Sequence, residues 1–216
     1  MSRFSELVGA AVLALCAGGC LFRTAEAPRF YRPASVALDG ADDTSTNGHP
    51  AADAARGEPA RVRLHTVRSA PFLRERMVWR ASDVEYGFYE QRRWSELPSR
   101  YVRRALATTL ETTPGVLLVD DVSAPRLDVE VLAFDEVVAP KHEASVVLAA
   151  TVRQGERTML DRTYAARVAV ATDDGAGTAQ AMGKALDEVT KAVADGVAKS
   201  SAPRHAPTPA RSHRAH

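Results

Sequence analysis

Residues 71–106 read PFLRERMVWRASDVEYGFYEQRRWSELPSRYVRRAL. The whole chain contains 13 aromatic residues, and this stretch holds seven of them: both tryptophans, two phenylalanines and three tyrosines. Aromatic side chains bury roughly 150–250 Å² each and dominate the energetics of cores and interfaces. We therefore expect the stretch either to nucleate the hydrophobic core or to form the main contact surface.

Hydrophobic periodicity predicts the elements around this stretch. Alternation predicts strands at residues 61–67, 77–81, 86–90, 116–119, 127–131, 146–152 and 164–170. Helical spacing predicts a helix with Ser95 as its N-cap and Pro98 in its first turn, which ends at Thr113-Pro114-Gly115. It predicts a second helix at residues 178–199. The order β-β-β-α-β-β-β-β-α predicts an α+β fold, a mostly antiparallel sheet with two helices packed on one face.

The order of residue types in the aromatic stretch also resembles a known family. Pro71-Phe72-Leu73, Met77-Val78-Trp79-Arg80, Tyr89, Arg93-Trp94 and Pro98 resemble the signature of the ABC-type transport auxiliary lipoproteins, the PqiC/YmbA-like family. The resemblance covers about residues 60 to 198. It implies a compact periplasmic domain of helices and strands.

The N-terminus has the pattern of an export signal. Arg3 precedes an apolar run from Leu7 to Ala17, which is too short to span a bilayer of about 30 Å, and Gly18-Gly19 leads into Cys20. Small residues before a cysteine are what a lipoprotein signal peptidase requires, so we expect residues 1–19 to be a signal peptide and Cys20 to be lipidated. The alternative is an ordinary secretory signal cut near residues 17–19.

Two further segments are predicted to lie outside the folded body at residues 61–199. Residues 20–60 contain few large apolar side chains between Val36 and Val62. Such a segment cannot offset its ordering entropy, so we expect a flexible tether with a coil-like span of about 35 Å. Residues 200–216 are rich in Pro, Arg and His without an apolar period, and we expect a disordered tail.

Composition excludes several classes of function. A net charge of +1 and the lack of a recognisable module argue against nucleic-acid binding. The two cysteines, Cys16 and Cys20, both precede the body, so the body has no disulfide, no cysteine metal site and no thiol nucleophile.

No constellation of catalytic or metal-ligating residues appears in the sequence. His65, His142 and the tail histidines are scattered without metal-ligand spacing, and Asp120-Asp121 and Asp173-Asp174 suit turns and helix caps. Gly175-Ala176-Gly177 lacks the residues of a phosphate-binding loop, so we interpret it as a flexible connection. We expect no enzyme, no metal and no cofactor.

The aromatic stretch is the candidate binding surface. Arginines alternate there with aromatic residues, a composition that is enriched at protein interfaces and suits phosphate head groups. The alternative is that the same aromatic residues form the core. The residues predicted to bind a partner are Phe72, Trp79, Arg80, Tyr86, Tyr89, Arg93 and Trp94.

The family resemblance implies a role in transport. It implies an auxiliary component of an ABC-type lipid transport system of the mammalian-cell-entry type, with the substrate-binding protein of that system as partner. Leu21 rather than Asp follows Cys20, which favours the periplasmic face of the outer membrane in enterobacteria-like sorting. A lipid and further copies of the chain are additional candidate partners. The alternatives are an envelope-biogenesis or peptidoglycan-associated lipoprotein, and a secreted hydrolase.

Overall fold

The computed structural model describes residues 26–43 and 58–201. The predicted signal peptide, Cys20, residues 44–57 of the predicted tether and residues 202–216 of the predicted tail lie outside the described residues. Within the described ranges the chain forms an α+β domain with one eight-stranded sheet and three helices, as the predicted fold class requires. None of these helices is long and apolar enough to cross a membrane.

The predicted order of strands and helices is confirmed from residue 60 onward, and one strand and one helix precede it. The strands are β1 (Arg29–Tyr31), β2 (Ala60–Ser69), β3 (Arg76–Arg80), β4 (Tyr86–Trp94), β5 (Val116–Leu118), β6 (Arg126–Val137), β7 (Glu143–Gln154) and β8 (Arg157–Ala169). The helices are α1 (Val36–Asp43), α2 (Pro98–Thr112) and α3 (Gly175–Ser201).

Strand β6 organises the sheet. Along one edge it pairs antiparallel with β7, which pairs antiparallel with β8, and these long ladders are the predicted meander. Its other edge is divided: residues 126–131 pair in parallel with β2, and residues 135–137 pair in parallel with β3. Strand β4 then pairs antiparallel with β3, and β1 and β5 complete the sheet as short parallel strands beside β4 and β2.

Helices α2 and α3 cover one face of the sheet, as predicted. Their apolar stripes are fully buried, and so are the alternate residues of β6 and β7 that face them. At the centre of this core Trp94 contacts the rings of Phe134 and Tyr101, with centroids 5.2 Å and 6.4 Å away. We call the sheet face without these helices the open face.

The predicted start of α2 needs a correction. Leu97 occupies the N-cap position and provides no side-chain cap, while Pro98 is the first helical residue. The hydroxyl of the predicted cap, Ser95, lies 2.8 Å from the Tyr101 hydroxyl instead. Because Pro98 has no backbone N–H to satisfy, the first turn of α2 depends less on a capping side chain.

Part of the segment that was expected to be a flexible tether is folded. Residues 29–43, which we call the N-terminal strap, add β1 to the edge of β4 and lay α1 against α2 and α3. Leu38 is buried in the core. The carboxylate of Asp187 on α3 accepts hydrogen bonds from the Ser35 hydroxyl (2.5 Å) and from the backbone N–H groups of Val36 (3.0 Å) and Ala37 (3.2 Å). The strap is thus held by backbone pairing, by a carboxylate that is distant in sequence, and by Tyr31, Ala37 and Leu38 packed on the core.

The aspartate pairs take the predicted turn and cap roles. Asp174 precedes α3, and its Oδ1 accepts hydrogen bonds from the Gly177 N–H (2.7 Å) and the Thr172 hydroxyl (2.9 Å). These bonds hold the pKa of the Asp174 carboxyl below its usual value. Asp121 likewise accepts a bond from the backbone N–H of Ser123 in the turn between β5 and β6.

Candidate functional site

The structure divides the seven residues predicted to bind a partner between the two faces of the sheet. Adjacent side chains of a strand point to opposite faces, so β3 and β4 each contribute to both. Trp79, Tyr89 and Trp94 lie on the helix-covered face, whereas Phe72, Arg80, Tyr86 and Arg93 lie on the open face. The predicted surface is therefore not one surface.

Trp94 does not belong to any exposed surface. Its side chain is 1 % exposed and is part of the core, so its inclusion among the contact residues was wrong. Trp79 is half-buried and packs over Gly87, where a Cβ atom would come within 2.4 Å of the Trp79 ring. Glycine at position 87 is what lets this ring lie flat against β4.

The open face carries an exposed cluster of aromatic and arginine side chains. Tyr86 contacts Phe72 and Phe88, with ring centroids 5.3 Å and 6.2 Å away, and the Arg76 guanidinium lies 5.9 Å from the centre of the Phe88 ring. Tyr86 is 54 % exposed and Phe88 is 37 % exposed. These side chains form one continuous surface along β3 and β4.

The same surface continues onto the N-terminal strap. Arg76 pairs in register with Arg93, which pairs in register with Phe30 of β1, and Phe30 is 62 % exposed. We define the open-face patch as Phe30, Phe72, Arg76, Tyr86, Phe88 and Arg93. Phe30, Arg76 and Phe88 were not among the predicted residues. The alternation from Tyr86 to Phe88 could have revealed Phe88, whereas no local pattern connects Phe30 to β4.

Arg80 points to the open face but lies outside the patch, beside a cleft of about 540 Å³. Arg80, Lys141 and Arg167 line this cleft together with Asp83 and Glu143. The Arg80 guanidinium bonds the buried Asp135 carboxylate at 3.1 Å. Burial raises the pKa of Asp135, and the charge of Arg80 opposes that rise.

A buried polar cluster lies on the opposite face, at the end of β6. Glu136 is 1 % exposed, and one of its carboxylate oxygens is bonded by the His142 imidazole. The other oxygen accepts a hydrogen bond from the Thr178 hydroxyl (3.0 Å) and lies 3.5 Å from the Arg92 guanidinium. Arg92 also lies over the ring of Tyr89, 4.3 Å from its centre.

The charge of Glu136 affects its neighbours. Burial, reinforced by the negative charge of Glu136, raises the pKa of Tyr89 to about 12. Tyr89 therefore keeps its proton throughout the physiological range. The Tyr89 hydroxyl and the Arg92 guanidinium therefore both lie close to the buried Glu136 carboxylate.

The Glu136 cluster combines types of side chain that also bind cations. Ligand atoms of Glu136, His142 and Asp173 all lie within 4.8 Å of one another. However, Arg92 already balances the buried carboxylate, and Thr178 satisfies the same oxygen. The arrangement is that of a structural ion pair. Sequence reasoning placed His142 in a loop, which is correct, but it could not foresee that this loop brings the ring to the end of β6.

Comparison with known proteins places the chain in a family. Residues 45–194 match the family model of the ABC-type transport auxiliary lipoprotein component. The fold is similar to that of protein XCC0632 from Xanthomonas campestris, a DUF330 protein, with a TM-score of 0.63 and 18 % identity over 80 % of this chain and 96 % of that one. It is also similar to an uncharacterized protein, with a TM-score of 0.55 and 14 % identity over 64 % of this chain and 93 % of that one.

Comparison with curated proteins gives no match. The family match covers most of the folded body, including the aromatic stretch on which the resemblance rested. The chain is a member of the ABC-type transport auxiliary lipoprotein component family.

Proposed function

We propose that this protein is a periplasmic lipoprotein, anchored at the outer membrane through Cys20, that docks an ABC-type lipid transport assembly there. The observation that carries the proposal is the family match over residues 45–194 in a chain whose apolar segment at residues 7–17 is followed by Gly18-Gly19-Cys20. The partner would be the substrate-binding protein of a mammalian-cell-entry-type transporter.

The physical role would be to concentrate two components at one membrane. Acyl chains on Cys20 hold the domain at the bilayer, because two or more chains give stable anchoring where one does not. A folded domain held there meets its partner at a raised effective concentration, so a modest contact surface is sufficient. ATP hydrolysis and lipid extraction would belong to other subunits.

The clusters on the domain suit a binding role better than catalysis. The cleft beside Arg80 is lined by arginine, lysine and carboxylate side chains, by small apolar residues and by Ser82. The Ser82 hydroxyl accepts hydrogen bonds from the backbone N–H groups of Val84 and Glu85, so it holds a turn. Glu136, the buried carboxylate, is held by Arg92 and Thr178 and is not directed at a cavity. Among the described residues that line the cleft, no nucleophile is hydrogen-bonded to a base, which is the arrangement that hydrolysis requires. We infer that the protein is not an enzyme.

The proposal is tested by recovering the protein with its partners from a detergent-solubilised envelope. We expect the wild-type chain to fractionate with the outer membrane and to bring down a substrate-binding protein of the transport system. The variant Cys20→Ala, in which the folded body is unchanged, should be released in soluble form and lose this association. Retention of Cys20→Ala in membranes washed at high salt, where charge contacts are screened, would contradict the anchor. Recovery of peptidoglycan-associated proteins alone would favour the role in envelope biogenesis.

A further inference from the structure

The N-terminal strap shortens the distance between the proposed anchor and the folded domain. Arg29 is the first residue of β1 and lies nine residues after Cys20. Even fully extended, nine residues span no more than about 30 Å. A coil of that length is shorter still, about 15–18 Å. The domain therefore cannot stand away from the membrane on a tether of 40 residues, because the chain joins the sheet soon after Cys20.

The edge that the chain joins is the edge that carries the open-face patch. Strand β1 pairs with the end of β4, and Phe30 lies in register with Arg93. The patch extends from there along β3 and β4 to Tyr86 and Phe72. At about 3.4 Å per residue, β4 is about 30 Å long. The whole patch therefore lies within about 30 Å of Arg29, where the chain joins the sheet.

The chemistry of the patch suits the surface of a phospholipid bilayer. Aromatic side chains are enriched at the level of the head groups, and arginine forms paired hydrogen bonds with phosphate oxygens. The patch contains four aromatic residues and two arginines. Neither Arg76 nor Arg93 has a carboxylate partner among the described residues, so both are available to phosphates.

We propose that the open-face patch lies against the phospholipid head groups of the membrane that holds the lipid anchor. This inference rests on the proposed lipidation of Cys20. It names the membrane as the partner of a surface that includes three of the seven residues predicted to bind a partner, Phe72, Tyr86 and Arg93. The length of chain between Cys20 and β1 favours the membrane over a protein, because it holds the patch near the bilayer. Strand β8, at the opposite edge of the sheet, is then left to face the transport assembly.

The test uses the full lipidated protein in vesicles of phosphatidylethanolamine and phosphatidylglycerol at a ratio of about 3:1. In the mature chain Cys16 has been removed and Cys20 is acylated, so a single introduced cysteine can be labelled with an environment-sensitive fluorophore. Suitable positions are Phe30→Cys in the patch and Val84→Cys two residues before Tyr86, where Val84 is 93 % exposed. The control is Glu156→Cys in the turn between β7 and β8, which is also exposed.

We expect the labels at positions 30 and 84 to shift to shorter wavelength in vesicles and to be quenched by nitroxide-labelled lipids, while the label at position 156 stays in water. A second variant, Arg76→Gln with Arg93→Gln, tests the phosphate contacts in the unlipidated Cys20→Ala background. Each arginine near an anionic surface contributes about fivefold to binding, so the double change should weaken vesicle binding by about 25-fold at low salt.

The possible outcomes separate this inference from the proposed function. Protein that floats with the vesicles but shows the same solvent exposure at positions 30, 84 and 156 keeps its anchor and overturns the membrane-facing patch. Protein that does not float overturns both proposals. Labels that become protected only when a transport partner is added assign the patch to a protein and also overturn this inference.

Discussion

Removal of the Asp187 carboxylate should open the N-terminal strap without unfolding the body. In the folded chain this half-buried side chain accepts a hydrogen bond from the Ser35 hydroxyl at 2.5 Å. It also accepts hydrogen bonds from the N–H groups of Val36 and Ala37, the first two residues of α1, at 3.0 and 3.2 Å. Loss of a helix-capping side chain costs about 0.5–2 kcal/mol, and hydrogen bonds to a charged group contribute about 1.5–3 kcal/mol. For Asp187→Ala we therefore expect the free energy of strap opening to fall by about 2 kcal/mol.

Hydrogen exchange of single amides measures this opening directly. A loss of about 2 kcal/mol corresponds to an increase of about 30-fold in the opening equilibrium, so the amides of Val36 and Ala37 should exchange about 30 times faster in Asp187→Ala. Amides in β6 and β7 should keep their protection, because their ladders do not involve the strap. The free energy of global unfolding in urea should fall by no more than about 2 kcal/mol.

The matched control removes the neighbouring carboxylate. Glu188 follows Asp187 on α3 and is exposed, and no hydrogen bond of its side chain is found among the described residues. The variant Glu188→Ala should change stability by less than about 0.5 kcal/mol and leave exchange in the strap unaltered. If Asp187→Ala leaves the exchange of Val36 and Ala37 unchanged, or if Glu188→Ala accelerates it equally, the carboxylate is not what holds the strap.

Three other substitutions test separate contacts. A Cβ atom at Gly183 would lie 1.8 Å from the Ala34 carbonyl oxygen, so Gly183→Ala should displace the strap and lower the free energy of unfolding by about 1–3 kcal/mol in urea titrations. Glu136→Gln leaves Arg92 without its buried partner and should cost about 3–5 kcal/mol by the same measurement. Because the folded pKa of Tyr89 is about 12, above its unfolded value of 10.0, its contribution is complete below pH 10 and is lost between pH 10 and 12. The free energy of unfolding lost in this way is at most about 2–3 kcal/mol, and solvent screening reduces it further. In Tyr89→Phe the alkaline loss should be smaller, which urea unfolding at each pH measures.

A control for each of these variants should give a different result. Gly40→Ala in α1 places a Cβ atom at an ordinary contact distance of 3.7 Å from Thr108, so it should be neutral or stabilising where Gly183→Ala is not. Glu130→Gln breaks a surface ion pair with Arg68 and should cost less than about 1 kcal/mol. Equal losses in Glu136→Gln and Glu130→Gln would show that burial of Glu136 has no energetic consequence. If Tyr89→Phe loses stability between pH 10 and 12 to the same extent as the wild type, the raised pKa of Tyr89 is contradicted.

Local patterns were sufficient to predict the body of the fold. The alternation at residues 127–131, 146–152 and 164–170 marks the positions of β6, β7 and β8, and the helical spacing in α3 extends over about five turns. Strand β6 extends beyond its predicted end because the register shifts between Val131 and Ala133, which interrupts the alternation. The parallel pairings of β2 and β3 with β6 were not predictable in the same way. These pairings depend on how β2 and β3 divide one edge of β6 between them. No sequence pattern within either strand predicts that division.

The candidate surface was predicted only in part, for a similar reason. The density of aromatic and arginine residues indicated the correct stretch, but density does not show which face each side chain occupies. Trp94 falls in the core because it pairs with Tyr31 at the helix-covered side, whereas the adjacent Arg93 faces the open side with Phe30. The strap was missed because Tyr31, Ala37 and Leu38, the apolar side chains that pack on the core, form no extended periodic pattern. Its polar contacts depend on Asp187, which is distant in sequence.

The bond between Ser35 and Asp187 joins residues 152 positions apart. A chain made from its amino terminus therefore contains Ser35 long before its partner exists, and neither β4 nor α3 is available to receive the strap at first. Contacts of such long range form late, because nearly the whole loop between them must be closed. A chain that ends before α3 lacks Asp187, so the first turn of α1 has no carboxylate to accept its N–H groups. We expect the strap of such a truncated chain to open more often and to be cleaved by proteases more readily than in the full chain.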